Sequence, residues 1–177
     1  MKKKPIYLWI LLVLSALISA SSLFGILGPV PSKEALRANL SNSGSLTAQQ
    51  IEDTVNYTYQ VTAASHSIFN VVLIVLSAIL VVVAFVFLVR KNVQFANYAY
   101  LGYLLLAIVG LVYSFMNIQD AVQLIKDDTL GIGIGTLAKG TVILFMIINV
   151  LFLALVLYKM WRQQKDLAEE AEAEEVA

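Results

Sequence analysis

Four stretches of this 177-residue chain, 6–28, 68–89, 98–118 and 141–158, carry no formal charge. A hydrocarbon core about 30 Å thick is crossed by roughly 20 apolar residues rising about 1.5 Å each, so every stretch approaches or exceeds a membrane span. Lipid offers backbone groups no water to bond, which makes the helix the form such a stretch takes. The composition agrees: 59% of residues are hydrophobic and 14% charged, against about 45–50% and about 25% in average globular domains. In water, four such helices would leave too little amphipathic chain to cover them. The expected fold is therefore all-α: an integral membrane four-helix bundle over residues 1–165, followed by an acidic tail, 166–177.

Basic residues set the direction of short-looped membrane proteins. Placing both termini in the cytoplasm puts Lys2, Lys3, Lys4, Arg90, Lys91, Lys159, Arg162 and Lys165 inside, and only Lys33, Arg37, Lys126 and Lys139 outside. Tyr7, Trp9, Tyr98, Tyr100, Tyr158 and Trp161 then lie near the inner interface, where amphipathic rings are enriched. The basic start and the small residues near Ser19 and Ser22 also resemble a secretory signal. Apolar residues continue past Ser22 to a full spanning length, so a retained first span is expected. With that orientation the chain is a multi-pass protein of a cell membrane, most simply a bacterial plasma membrane.

The first outer segment, 30–67, reads as helical. Pro31, Ser32, Lys33 and Glu34 open a short helix through Leu40, broken by Asn42, Ser43, Gly44 and Ser45. Thr47 and Gln50 form a capping-box pattern, and Ile51, Val55, Tyr59 and Thr62 follow at helical spacing. No breaker stands before Ile68, so a rod continuous with the second span is one expectation; a segment folded over its own bundle is the other. Asn39 with Ser41 and Asn56 with Thr58 match the glycosylation acceptor pattern, which matters only in a pathway that glycosylates. The inner connection, 90–97, is short enough to force an antiparallel hairpin. The second outer segment, 119–139, holds Asp120, Lys126, Asp127, Asp128 and the glycines 131, 133 and 135, expected to be a flexible connection.

Those glycines do not make a nucleotide site. The dinucleotide fingerprint requires glycine where Thr136 stands, and Lys139, Gly140 and Thr141 are in the wrong order for a P-loop. The chain has no cysteine and a single histidine, His66, so thiolate sites and multi-histidine metal sites are excluded. His66 falls at the outer mouth of the second span, as a headgroup anchor or a sensor of external pH. No serine stands in a nucleophile context, and no Asp, Glu or His lies within a span to relay protons. Twelve basic residues balance twelve acidic ones, giving no basic excess for nucleic acid. No catalytic residue, cofactor, metal or nucleotide is expected.

The spans offer packing instead. Ala99, Gly102, Leu106, Gly110, Ser114 and Asn117 recur at three- and four-residue steps along the third span, and Ser15, Ser19 and Ser22 along the first. Small residues let helices approach closely in lipid, and polar side chains bond across them. Gly102, Gly110, Ser114, Asn70, Asn117 and Asn149 are therefore the candidate packing or partner-interface residues. The asparagines are expected to bond between helices.

Residues 2–9, SHSIFNVV at 65–72 and KNVQFANYAYLGYLLLAIVG at 91–110 resemble small four-span proteins of low-GC Gram-positive bacteria, commonly labelled ABC transporter permeases or uncharacterised membrane proteins. The resemblance implies a link to a transport system. The inner loop lacks the length and the Glu-Ala-Ala pattern of an importer permease's coupling loop, and an exporter half has six spans. The expectation is thus a non-catalytic accessory or structural subunit, in contact with lipid and with another membrane subunit or a second copy of itself. The alternative is an oligomeric channel or transporter in its own right, with the asparagines lining its path.

Overall fold

The computed structural model describes residues 5–42 and 46–175; Lys2, Lys3 and Lys4 and the break expected at Ser43, Gly44 and Ser45 lie outside the described residues. Those residues form six helices and no strand: α1 (Ile6–Leu27), α2 (Lys33–Ser41), α3 (Ala48–Ser65), α4 (Ile68–Val89), α5 (Val93–Val122) and α6 (Asp128–Glu175). Four of them, α1, α4, α5 and α6, are long and apolar enough to cross a membrane.

Helix ends follow local chemistry. α1 stops because Gly28, preceding Pro29, is driven to the extended region at φ −72° and ψ 152°. Ser32 caps α2 by accepting from the Ala35 amide at 3.2 Å. The Thr47–Gln50 box caps α3, with both reciprocal bonds formed. The rod does not form. Helix α3 ends at Ser65, and Ser67 adopts an extended conformation and caps α4 through the Asn70 amide at 3.3 Å. A serine in that position offers the backbone an alternative to helix, which apolar periodicity alone does not register.

The α4–α5 turn is tighter than the sequence implied, since α5 starts at Val93. Asn92 N–H donates to the Phe87 carbonyl at 2.9 Å and Lys91 N–H to that of Leu88 at 3.0 Å, the paired bonds of a Schellman motif. Its left-handed position is held by Lys91, at φ 61°, where glycine is usual. The glycine-rich connection is also corrected: Gly131, Gly133, Gly135 and Gly140 all lie within α6. A Cβ on Gly135 would stand 3.2 Å from Val122, so its bareness lets α6 lie close on α5. Helix α6 has 48 residues, about 72 Å at 1.5 Å per residue, and so exceeds a bilayer's apolar thickness at both ends.

Neighbouring spans pack in the order α1, α4, α5, α6. At the end carrying Tyr7, the α4–α5 turn and Lys159, here the basic end, they close around one apolar cluster. It holds Leu8, Leu11 and Leu12 of α1, Val81, Ala84 and Leu88 of α4, Tyr100, Tyr103 and Leu104 of α5, and Val156 of α6. Towards the opposite end, capped by α2 and α3, helices α1 and α6 make no extended contact with each other.

Candidate functional site

Helices α1 and α6 make no extended contact with each other, and both contribute to the wall of a cavity of about 340 Å³. All four spans line it: Ile18, Ser19 and Ser22 from α1; Asn70, Leu73, Ile74 and Ser77 from α4; Tyr103, Leu106, Ala107, Gly110, Leu111 and Ser114 from α5; and Phe145 and Asn149 from α6. Its depth can be measured along α4. Asn70 is the third residue of the helix and Ser77 lies seven residues further on, about 10 Å deeper and close to the middle of the helix. The cavity thus runs from the capped end to the middle of the apolar layer and stops on Tyr103 and the closed cluster.

The lining carries no charge, yet it is rich in groups that seek hydrogen bonds. The hydroxyls of Ser19, Ser77, Ser114 and Tyr103 and the amide oxygens of Asn70 and Asn149 face it, and none has a partner among the described residues. Ser19 is 8% and Tyr103 5% exposed. No fully buried side-chain nitrogen or oxygen among the described residues lacks a partner, so these unbonded atoms all keep some accessible surface. These groups remain free to bond whatever enters, and a ligand that buried them without a partner would lose about 1–3 kcal/mol for each.

The six residues singled out from the sequence separate here. Asn70, Gly110, Ser114 and Asn149 come together on the cavity. Gly102 instead lies in the α4–α5 contact, its would-be Cβ 3.3 Å from Leu80. Asn117 is outside the lining and donates to the Tyr113 carbonyl at 2.8 Å, within its own helix. Nor do the other two asparagines bond between spans as expected. Asn149 donates to Phe145 O at 2.8 Å and Asn70 to Ser65 O at 2.7 Å. In lipid a carbonyl on the same or the adjoining helix is the nearest acceptor for an amide side chain, and it needs no partner helix.

Bonds between spans centre on Asn97, which sequence reasoning did not single out, and on Ser15 of the first span's small-residue stripe. Asn97, fully buried, accepts from Tyr7 Oη at 2.9 Å and donates to Gln163 Oε1 at 3.2 Å, joining α1, α5 and α6. Ser15 and Tyr100 pair at 3.0 Å. Lys159 lies 5.8 Å from the Tyr7 ring, adding a cation–π contact at the basic end. The signal for Asn97 was its aromatic, small-residue surroundings; it was hidden by reading 90–97 as a loop.

At the capped end the outer helices are latched to the α5–α6 connection. Asp53, 1% exposed, accepts from the amides of Lys126 at 2.9 Å and Asp127 at 3.0 Å and from Gln49 Nε2 at 2.7 Å. Burial opposes its charge, but the two amides and Gln49 outweigh that and hold the carboxyl below its ordinary range. Asp127 caps α6 through the Leu130 amide at 2.9 Å and accepts from Gln50 at 3.0 Å; these bonds lower its pKa as well. Arg37 and Glu52 pair at 2.7 Å and join α2 to α3. His66 closes α3: Nε2 lies 2.9 Å from the Gly28 carbonyl and Nδ1 2.9 Å from that of Thr62. It pins the end of α1 to the α3–α4 break, so the mouth of the cavity has a fixed rim.

A family model described as a domain of unknown function, DUF8777, matches residues 1–169. The chain belongs to that family. The match takes in all four apolar helices, the outer helices and the residues that line the cavity. No curated protein and no solved structure matches the chain.

Proposed function

We propose that this is a non-catalytic, four-span helical bundle of a bacterial plasma membrane, with both termini in the cytoplasm, serving as an accessory subunit of another membrane protein. The basic end then faces inward under the eight-to-four distribution of Lys and Arg, and the latch and the cavity mouth face outward. One observation carries the reading: α1 and α6 make no extended contact, and both line a cavity whose wall holds hydroxyl and amide groups. Association in lipid is driven by packing and hydrogen bonds, both of which an open seam between two spans supplies to a partner. An ABC-type transport system is the partner class that the sequence resemblance suggests.

The chain lacks cysteine, so single-cysteine variants report unambiguously. Ser22→Cys and Phe145→Cys, on the seam, should cross-link in cells to one membrane protein, while Val82→Cys, exposed on α4 away from the cavity, should not. Absence of any cross-linked partner, or equal cross-linking from Val82→Cys, refutes the accessory role.

The second reading, an oligomeric channel or transporter, is favoured by the contribution of all four spans to one polar-lined cavity. It predicts flux through vesicles containing only this protein, abolished by Asn70→Leu combined with Asn149→Leu.

A further inference from the structure

The inner half of the cavity has a chemical preference that partner docking leaves unused. Every polar atom on it is neutral: hydroxyls, which donate and accept, and amide oxygens, which accept. A charged group entering there would shed its hydration without a counter-ion, which lipid-depth sites do not tolerate cheaply. A neutral group bearing several hydroxyls finds matched partners in Ser19, Ser77, Ser114, Tyr103 and Asn149. The volume of about 340 Å³ lies at the small end of ligand cavities, roughly 300–1,000 Å³, enough for one compact headgroup. Helices α1 and α6 both contribute to its wall without extended contact with each other, and their lining residues Ile18 and Phe145 are apolar and exposed. Tyr103 and Ser19 carry the argument: both residues are more than nine-tenths buried, both line the cavity, and neither hydroxyl has a partner among the described residues.

We propose that this cavity binds the uncharged, polyhydroxyl headgroup of a membrane lipid, of the glycosyl-diacylglycerol class, with the headgroup on Ser19, Tyr103 and Ser114 and the acyl chains leaving between α1 and α6. The proposal rests on the seam being the working face, as in the functional reading, but it needs no protein partner. It is therefore tested on the isolated chain, whereas cross-linking in cells tests the partner.

The full-length protein, purified in a detergent without sugar, is titrated with monoglucosyl-diacylglycerol and observed by native mass spectrometry. One lipid per chain should bind, at least tenfold tighter than phosphatidylglycerol of the same acyl chains. Tyr103→Phe removes one hydroxyl at constant shape and should weaken binding about fivefold, the worth of one net hydrogen bond. Ser114→Leu fills the cavity and should abolish binding; an unchanged melting temperature and helical circular dichroism for Tyr103→Phe show that the fold survives. The proposal is overturned if no glycolipid adduct forms, if phosphatidylglycerol binds equally, if Tyr103→Phe binds as the parent does, or if free glucose competes at millimolar concentration and so marks a water-soluble ligand.

Discussion

Replacing Asn97 with alanine separates an asparagine that joins spans from asparagines that serve their own helix. The Asn97 side chain is fully buried and bonded to two other spans at once, to Tyr7 at 2.9 Å and to Gln163 at 3.2 Å. Hydrogen bonds between membrane helices contribute about 0.6–2 kcal/mol each. Losing both therefore costs about 1–4 kcal/mol, with the larger share from the shorter bond to the half-buried Tyr7 hydroxyl. At about 2 kcal/mol the folded-to-unfolded ratio falls roughly thirtyfold. Equilibrium unfolding in mixed micelles with rising sodium dodecyl sulfate measures this directly. Asn117→Ala is the matched control, because its amide bonds only the Tyr113 carbonyl of the same helix; it should cost less than about 0.5 kcal/mol, in the range of surface changes. If Asn117→Ala destabilises as much as Asn97→Ala, the assignment of inter-span bonding is wrong.

Asp53→Asn should raise amide exchange at Lys126 and Asp127, because the charged acceptor of both amides is lost. The folded pKa of Asp53 lies below the ordinary value of 3.8, so its contribution is fully present above that value and disappears as pH falls through the depressed one. Protection of the same amides in the parent should therefore hold at pH 6 and fade only in strong acid, while Asp53→Asn is unprotected throughout. Lys91→Gly relieves a left-handed lysine, a conformation that costs about 1–2 kcal/mol, and should stabilise the α4–α5 turn by a net of about 0.5–1 kcal/mol in the same detergent titration. His66→Ala should free the Gly28 carbonyl and make a cysteine placed at Leu27 more reactive, with little effect on one placed at Val93.

The sequence revealed what depends on apolar length and on local capping. The bounds of α1 and α4 follow the uncharged runs, and the Thr47–Gln50 box is formed. What it concealed depends on context. Glycines 131, 133 and 135 read as a flexible connection by their aqueous propensity, but the helix continues through them, and at Gly135 the bare position lets Val122 of α5 approach. Ser67 broke the projected rod because a single hydroxyl can restart a helix. Asn70 and Asn149 were picked out as costly in lipid, and they do meet on the cavity. Their bonding partners were not legible, since a backbone carbonyl is always within reach of a helical asparagine. Nothing in the sequence marks Asp53; only the return of the chain at Lys126 and Asp127 turns it into an anchor.

The account stands on four spans that are sealed at the basic end and open to mid-membrane depth at the other, between α1 and α6. Single cysteines at Ser22, Ser77 and Val81, probed with a membrane-impermeant methanethiosulfonate applied to each side of oriented vesicles, test this most directly. Ser22→Cys and Ser77→Cys, which line the cavity, should react from the side opposite the termini only, and Val81→Cys, 3% exposed within the closed cluster, should stay unmodified. Modification of Val81→Cys as fast as Ser77→Cys, or failure of both Ser22→Cys and Ser77→Cys to react from either side, would contradict it.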